Sequence, residues 1–357
     1  MDLSIIVPTY NEGENTITLV EKIIAALEPL DYYYEIIFVD DSSDETPAIL
    51  ESLSRKHRQV CFHHRPGERG LGTAVVKGFQ LAAGKYLLVM DADLQHPPEL
   101  IPVILKRLEE GTQLVIPSRF VQGGDDSSLN IPRKLVSWVA RILARGLLKR
   151  VRPVKDCTGG YFALHSKVID NVELKPIGWK ILIEIIVKGH YTKTLEIPYK
   201  FRVRKTNLSK MSYREQYNYL KHLAALVAGS PADRRFILFC LVGSLGFVVN
   251  IAIFSAIMHL SKNQALLSSV IASGTAMLHN FVLNDRFTWP HLKPLSDQKH
   301  TRMFIFAAVS LIGIIITVMV LRTFLWFNLN PYLGQVTGIT CAVTWNYNIN
   351  NRWTWAK

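Results

Sequence analysis

The sequence predicts an α/β domain on a mainly parallel sheet, followed by an all-α membrane domain of four transmembrane helices. Three observations carry this. Strand and helix patterns alternate through residues 1–120. The polar clusters in that region fall just after strand-like segments. From about Phe236 onward the charged, mixed composition gives way to long apolar runs.

"LSIIVP" (3–8) is a short apolar run of buried-strand type, and "ENTITLVEKIIAALE" has helical spacing. "YEIIFVD" (34–40) is the next strand, then helix 46–57, a short strand near 60–63, helix 73–83, strand 86–90, helix 98–110 and strand 113–116. Strands separated by helices imply a parallel sheet covered on both faces. Ligands of such sheets bind beyond the carboxyl ends of the strands. "PTYNE", "DDSSDET" and "DADLQH" stand at those ends.

"PRKLVSWVARILARGLLKR" (132–150) is an amphipathic helix with six basic residues and no acids. Pro132 suits a first helical turn. Leu135, Trp138, Val139, Ile142 and Leu143 form the apolar stripe of a helix lying in a membrane interface. Residues 209–230 are expected to form a second such helix. The first expected domain is therefore 1–230, and 231–357 is the membrane domain.

"FILFCLVGSLGFVVNIAIFSAIMHL" (236–260) holds no acid, Lys or Arg in 25 residues. That is enough to cross a hydrocarbon core of ~30 Å. Further spans are expected at 264–283, 303–321 and 331–349. Basic residues gather before the first span, between the second and third, and after the fourth. This pattern places both termini, with the N-terminal domain, in the cytosol. The opening "MDLSIIVPTYNEGEN" reads as strand and turn rather than a signal peptide. Four scattered cysteines suggest neither a disulfide framework nor a zinc site. The formal net charge of +12 suits anionic headgroups or pyrophosphates, with no nucleic acid partner.

The membrane part repeats itself. "HNFVLNDRFTW" (279–289) and "WNYNINNRWTW" (345–355) share five of eleven positions. Phe239, Val242 and Gly246 align with Phe306, Val309 and Gly313. Two helical hairpins in one orientation are expected. A homodimer through these helices stays open.

"YLLVMDADLQHPPEL" (86–100) carries the chemistry. In an extended segment side chains alternate, so Asp91, Asp93 and Gln95 face one way. Two carboxylates and an amide oxygen suit a hard Mg²⁺ or Mn²⁺ ion, which takes the rest of its shell from substrate phosphates. "ERGLGTAVVKG" (68–78) is a Gly-rich turn into a helix, without the spacing of a P-loop or dinucleotide fingerprint.

"IIVPTYNE", "IIFVDDSSDET", "RPGERGLGTAVVKGFQLAAGKYLLVMDADLQHPPELIP", "IPSRF" and "DCTGGYFAL" together resemble the family 2 glycosyltransferases of GT-A (Rossmann-like) fold. Within these the resemblance is to the dolichyl-phosphate mannose synthases, over residues 1–215. The last 125 residues resemble GtrA four-span domains. The resemblance implies that Pro8, Tyr10, Glu12 and Asp41 hold the nucleoside of a sugar nucleotide, with Val39 and Ala92 as further substrate-binding positions. It implies that Asp91, Asp93 and Gln95 hold the metal on the diphosphate. Arg119, Arg133 and Ser137 would hold a lipid phosphate, and Arg204 and Lys205 would close over the diphosphates. Asp91, Asp93 and Arg204 are the implied catalytic residues. Asp91 and Glu184 are the acids to test. Ser43 stands where the family more often has Gly. The absence of QxxRW points to transfer of a single sugar.

The implied reaction moves mannose from GDP-mannose to dolichyl or polyprenyl phosphate, with inversion. A UDP-glucose or UDP-GlcNAc donor is an alternative on the same fold. A nucleotide-binding membrane carrier without turnover is a third reading, against which the intact DAD-x-Q stands.

Overall fold

The computed structural model describes residues 1–127, 131–202, 213–260, 265–290 and 299–355. It divides into two units, Met1–Val227 and Ala228–Lys357.

In the first unit β1 (Leu3–Thr9) is buried along its whole length, as its continuous apolar run requires of a central strand. It pairs in parallel with β2 (Tyr34–Asp40) and with β4 (Tyr86–Val89). β3 (Val60–His64) extends the sheet beyond β2. Three helices connect these strands: α1 (Gly13–Leu27), α2 (Thr46–Lys56) and α3 (Leu71–Leu81). The chain steps outward from β1 to β3, then returns across β1 to β4. That reversal makes a topological switch point beside the end of β1, where a crevice opens. α4 (Ile101–Glu109) and β5 (Leu114–Ser118) follow.

Beyond β5 the sheet departs from the simple parallel expectation. β6 (Phe162–His165) inserts antiparallel between β4 and β5, and β7 (Thr194–Pro198) pairs in parallel outside β5. The order is β3-β2-β1-β4-β6-β5-β7. Alternation along β1 sends Leu3, Ile5 and Val7 to one core and Ile6 to the other. A Cβ on Gly78 would collide with Ile6 Cγ2, so glycine there lets α3 lie close on β1. α5 (Ile131–Leu147), α6 (Ile181–Lys188) and α7 (Tyr213–Gly229) complete the unit. Tyr219 of α7 donates to the Ala140 carbonyl of α5. Leu135, Trp138, Val139 and Ile142 of α5 are exposed, while Leu143 of the same stripe packs partly against the core.

The second unit contains α8 (Pro231–Leu260), α9 (Ala265–Leu283), α10 (Lys299–Trp326) and α11 (Pro331–Ile349). Among the described residues two segments are long and apolar enough to cross a membrane. They are Pro231–Ile257 (27 residues, mean hydropathy 2.5) and Lys299–Trp326 (28 residues, 2.9). Only 17% and 18% of their most apolar stretches are buried, unlike the core helix of a soluble protein.

α9 and α11 each end in a π-helical turn, Asn284–Thr288 and Asn350–Thr354. The sequence repeat is realised as an exchange between these turns. Trp289 Nε1 donates to Asn351 Oδ1 (3.0 Å), and Trp355 Nε1 donates to Asp285 Oδ1 (3.0 Å). The two indoles stack at 4.2 Å and 7°. Within each turn the threonine hydroxyl donates to the asparagine four residues earlier. Gly246 and Gly313 each make room for an asparagine of the next helix, Asn280 and Asn346.

Candidate active site

The loops after β1 and β2 are tied together before any ligand is considered. Asn11 adopts φ 54°, a left-handed conformation that asparagine tolerates better than most residues. Its amide donates to Ser42 Oγ (2.7 Å), and its side-chain oxygen accepts from the Ser43 amide. Asp40 is buried and bonded by Ser42 Oγ and His64 Nδ1, so it serves the loop. Asp41 faces the crevice. Its carboxylate takes Arg65 Nε (2.8 Å), Arg65 Nη2 (2.7 Å) and the Gly70 amide (2.9 Å). The Gly-rich turn is thereby anchored to the end of β2. Arg69 of that turn lies over the Tyr10 ring at 4.5 Å.

After β4 the chain does not run on extended. Leu94 has φ 62°, and residues 91–95 form a turn. The alternation expected of an extended segment is therefore not what gathers Asp91, Asp93 and Gln95. The turn itself brings all three to one cavity of about 960 Å³. Asp93 Oδ1 accepts the Gln95 amide (3.1 Å). Gln95 Nε2 donates to the Arg202 carbonyl (2.9 Å), so of the two amide atoms Oε1 is the one with acceptor character. The Asp91 amide donates to His96 Nδ1 (3.0 Å). Burial holds His96 neutral, its pKa lowered to about 4. Gly160 runs so close to Asp91 that a Cβ would stand 3.0 Å from Oδ2.

Cations line the same cavity. Arg119 is clamped by Asp156 through Nε–Oδ2 and Nη2–Oδ1 bonds of 2.8 Å, a bidentate geometry suited to guanidinium. Asp156 is itself fixed, because Glu196 of β7 accepts the Lys155 and Asp156 amides. Arg133, Val136, Ser137 and Ala140 present one helical face of α5 to the cavity. Lys180 Nζ donates to the Thr158 carbonyl (2.9 Å), and burial, with Arg119 adding to it, pushes its ammonium below the usual lysine pKa.

Pro8, Tyr10, Glu12, Asp41, Ala92, Asp91, Asp93, Gln95, Arg119, Arg133 and Ser137 thus line one cavity. Val39 does not; it is buried with Ile37 and Ala74. Glu184 is buried on α6 and absent from the cavity lining. It accepts from Lys188 Nζ and the Lys175 amide and lies 3.8 Å from His222 Nε2. Arg204 and Lys205 lie outside the described residues.

Residues 4–172 match the model of glycosyl transferase family 2, and 238–355 match the GtrA/DPMS transmembrane domain. The chain is 37% identical to a dolichol-phosphate mannosyltransferase of Pyrococcus furiosus, covering 100% of both chains. The chain belongs to the dolichol-phosphate mannosyltransferase family. A family member from Saccharomyces cerevisiae is 33% identical over 69% of this chain and 95% of its own length. Among solved structures, glucosyl-3-phosphoglycerate synthase from Mycobacterium tuberculosis has a TM-score of 0.48, with 18% identity over 64% of this chain and 79% of that one.

In this member of the family, sequence reasoning passed over Arg65, His96, Asp156 and Lys180. Three of them sat inside the quoted motifs "RPGERG", "DADLQHPPE" and "DCTGGYFAL". No local pattern marks Lys180, whose place in the cavity follows from tertiary packing.

Proposed function

We propose that the chain transfers one mannose from GDP-mannose to dolichyl or a similar polyprenyl phosphate at the cytosolic face of a membrane. The observation that carries this is one cavity with the Asp91–Gln95 turn and the Arg119, Arg133 and Ser137 group in its lining. The arginines are assigned to an acceptor phosphate: Arg133 can offer it a guanidinium fork, while Arg119, its fork held by Asp156, contributes positive charge to the lining. α5 supplies Arg133 and Ser137, and its exposed apolar stripe suits the lipid to which that phosphate is attached.

The residues present fit a divalent ion. Among the described residues the site is not a cluster of three or more His, Cys, Asp or Glu side chains; its donors are Asp91, Asp93 and the Gln95 amide. Two carboxylates and one amide oxygen suit a Mg²⁺ or Mn²⁺ that completes its shell on the donor diphosphate. When bound, such an ion supplies positive charge to the departing diphosphate. An acceptor phosphate oxygen, ionised at pH 7, attacks the anomeric carbon. The bond to GDP breaks with its electron pair leaving on the diphosphate, and in-line displacement inverts the centre. No strong general base is needed. Arg204 and Lys205 are proposed to close over the diphosphates. α9 and α11 are proposed to span with α8 and α10, giving four spans with both termini cytosolic.

Steady-state kinetics of two variants test this. Arg133→Ala should raise KM for dolichyl phosphate about 10-fold or more, the worth of a charged hydrogen bond, with KM for GDP-mannose unchanged. Asp93→Ala should lower kcat by about 10²-fold or more. Wild-type kinetics from either variant would refute its assigned role.

A further inference from the structure

We infer that His96 is a positioning residue for the divalent-ion site, holding the Asp91–Gln95 turn in the shape that presents both carboxylates to the cavity. This rests on the metal reading above. The turn needs bracing because Leu94 sits at φ 62°, a region that L-residues other than asparagine and aspartate mostly avoid. Two bonds brace it. Asp93 Oδ1 caps the Gln95 amide, which uses one oxygen of the site itself. His96 Nδ1 caps the Asp91 amide at 3.0 Å without using any. The same ring nitrogen lies 3.8 Å from Asp91 Oδ2, so the imidazole edge also borders that carboxylate.

The ring cannot drift from this position. His96 is buried, stacks on Tyr161 at 5.0 Å and 21°, and meets Tyr199 and Phe201 at 6.2 and 6.1 Å. Tyr161 is pinned in turn, its hydroxyl donating to the Pro97 carbonyl at 3.0 Å. Acceptance at Nδ1 places the imidazole proton on Nε2. His96 touches neither ion nor substrate in this scheme; it acts through the backbone of Asp91.

Two substitutions of similar polarity separate positioning from mere filling. His96→Asn places a carbonyl oxygen where Nδ1 stands, two bonds from Cβ. His96→Gln moves that oxygen one bond further out. His96→Phe keeps the ring and removes the acceptor. The measurement is Mn²⁺ binding to the full chain in detergent with GDP present, read from the electron paramagnetic resonance of free Mn²⁺. His96→Gln and His96→Phe should weaken Mn²⁺ binding about 10-fold or more, as loss of an outer-shell partner does. His96→Asn should bind Mn²⁺ close to the unsubstituted chain. Unchanged Mn²⁺ affinity in His96→Gln, or equal loss in His96→Asn and His96→Gln, overturns the assignment. Absence of Mn²⁺ binding by the unsubstituted chain overturns the metal reading, and this assignment with it.

Discussion

Asp156→Asn should cost the protein both stability and its grip on the acceptor. The Asp156 side chain is fully buried, and Arg119 beside it is 10% exposed. Asp156 accepts from Arg119 Nε, from Nη2, and from the Arg119 backbone amide at 3.1 Å. Two unit charges ~4 Å apart at an effective dielectric of about 20 attract by about 4 kcal/mol. Asparagine removes that charge and turns an amide NH₂ toward at least one of the guanidinium donors. Leaving the buried arginine unpaired costs about 3–5 kcal/mol. For a unit of this size that lowers the melting temperature by about 10 °C. Arg119 also loses the fork that orients it, so KM for dolichyl phosphate should rise about 10-fold. KM for GDP-mannose should stay put. Thermal denaturation of the full chain in detergent and acceptor titration are the two assays. A variant with unchanged melting temperature and unchanged acceptor KM would refute the reasoning.

Glu184→Gln keeps an acceptor for the Lys175 amide and loses only charge, so kcat should hold while melting falls by the equivalent of about 1–3 kcal/mol. A large loss of kcat at unchanged melting temperature would make Glu184 a catalytic acid after all. His96 has a folded-state pKa of about 4, depressed by burial, below its ordinary 6.5. Between those values the unfolded chain binds more protons than the folded one, so the stability due to His96 is complete above pH 6.5 and is lost as pH falls toward 4. At pH 5 the loss is about 2 kcal/mol, and melting curves of His96→Asn should show a correspondingly shallower pH dependence. In the second unit, Trp355→Phe should destabilise more than Trp289→Phe. The first loses a bond to the Asp285 carboxylate, about 1.5–3 kcal/mol, and the second a bond to the Asn351 amide, about 0.5–1.5 kcal/mol. Equal losses in thermal melts would contradict that ordering.

The first half of the sheet was legible because its strands are short apolar runs bounded by polar turns. β6 was not: "FALH" is four residues long, and antiparallel pairing leaves no mark in so short a run. β7 has a partly exposed outer position, which blurs its pattern. α6 reads "ILIEIIVK", an apolar run that periodicity alone cannot divide between strand and helix. That ambiguity hid the contact of Glu184 with His222 and let it stand as an acid to test. At the site, the grouping of Asp91, Asp93 and Gln95 was legible, but for a reason the structure replaces. A left-handed residue at 94 gathers them, where extended alternation was expected. Arg119 and Asp156 were both visible in motifs, yet their pairing joins β5 to a loop 37 residues later. The hairpin repeat was plain in the sequence. The crossed Trp289 and Trp355 bonds needed the fold.

The most direct measurement is a donor screen with the purified full chain, dolichyl phosphate and Mn²⁺, reading radiolabel in the lipid phase. GDP-mannose should give a labelled mannosyl lipid, EDTA should abolish it, and UDP-glucose and UDP-GlcNAc should give none. Label from a UDP-sugar alone, or no transfer from any donor, would contradict the proposed mannosyl transfer.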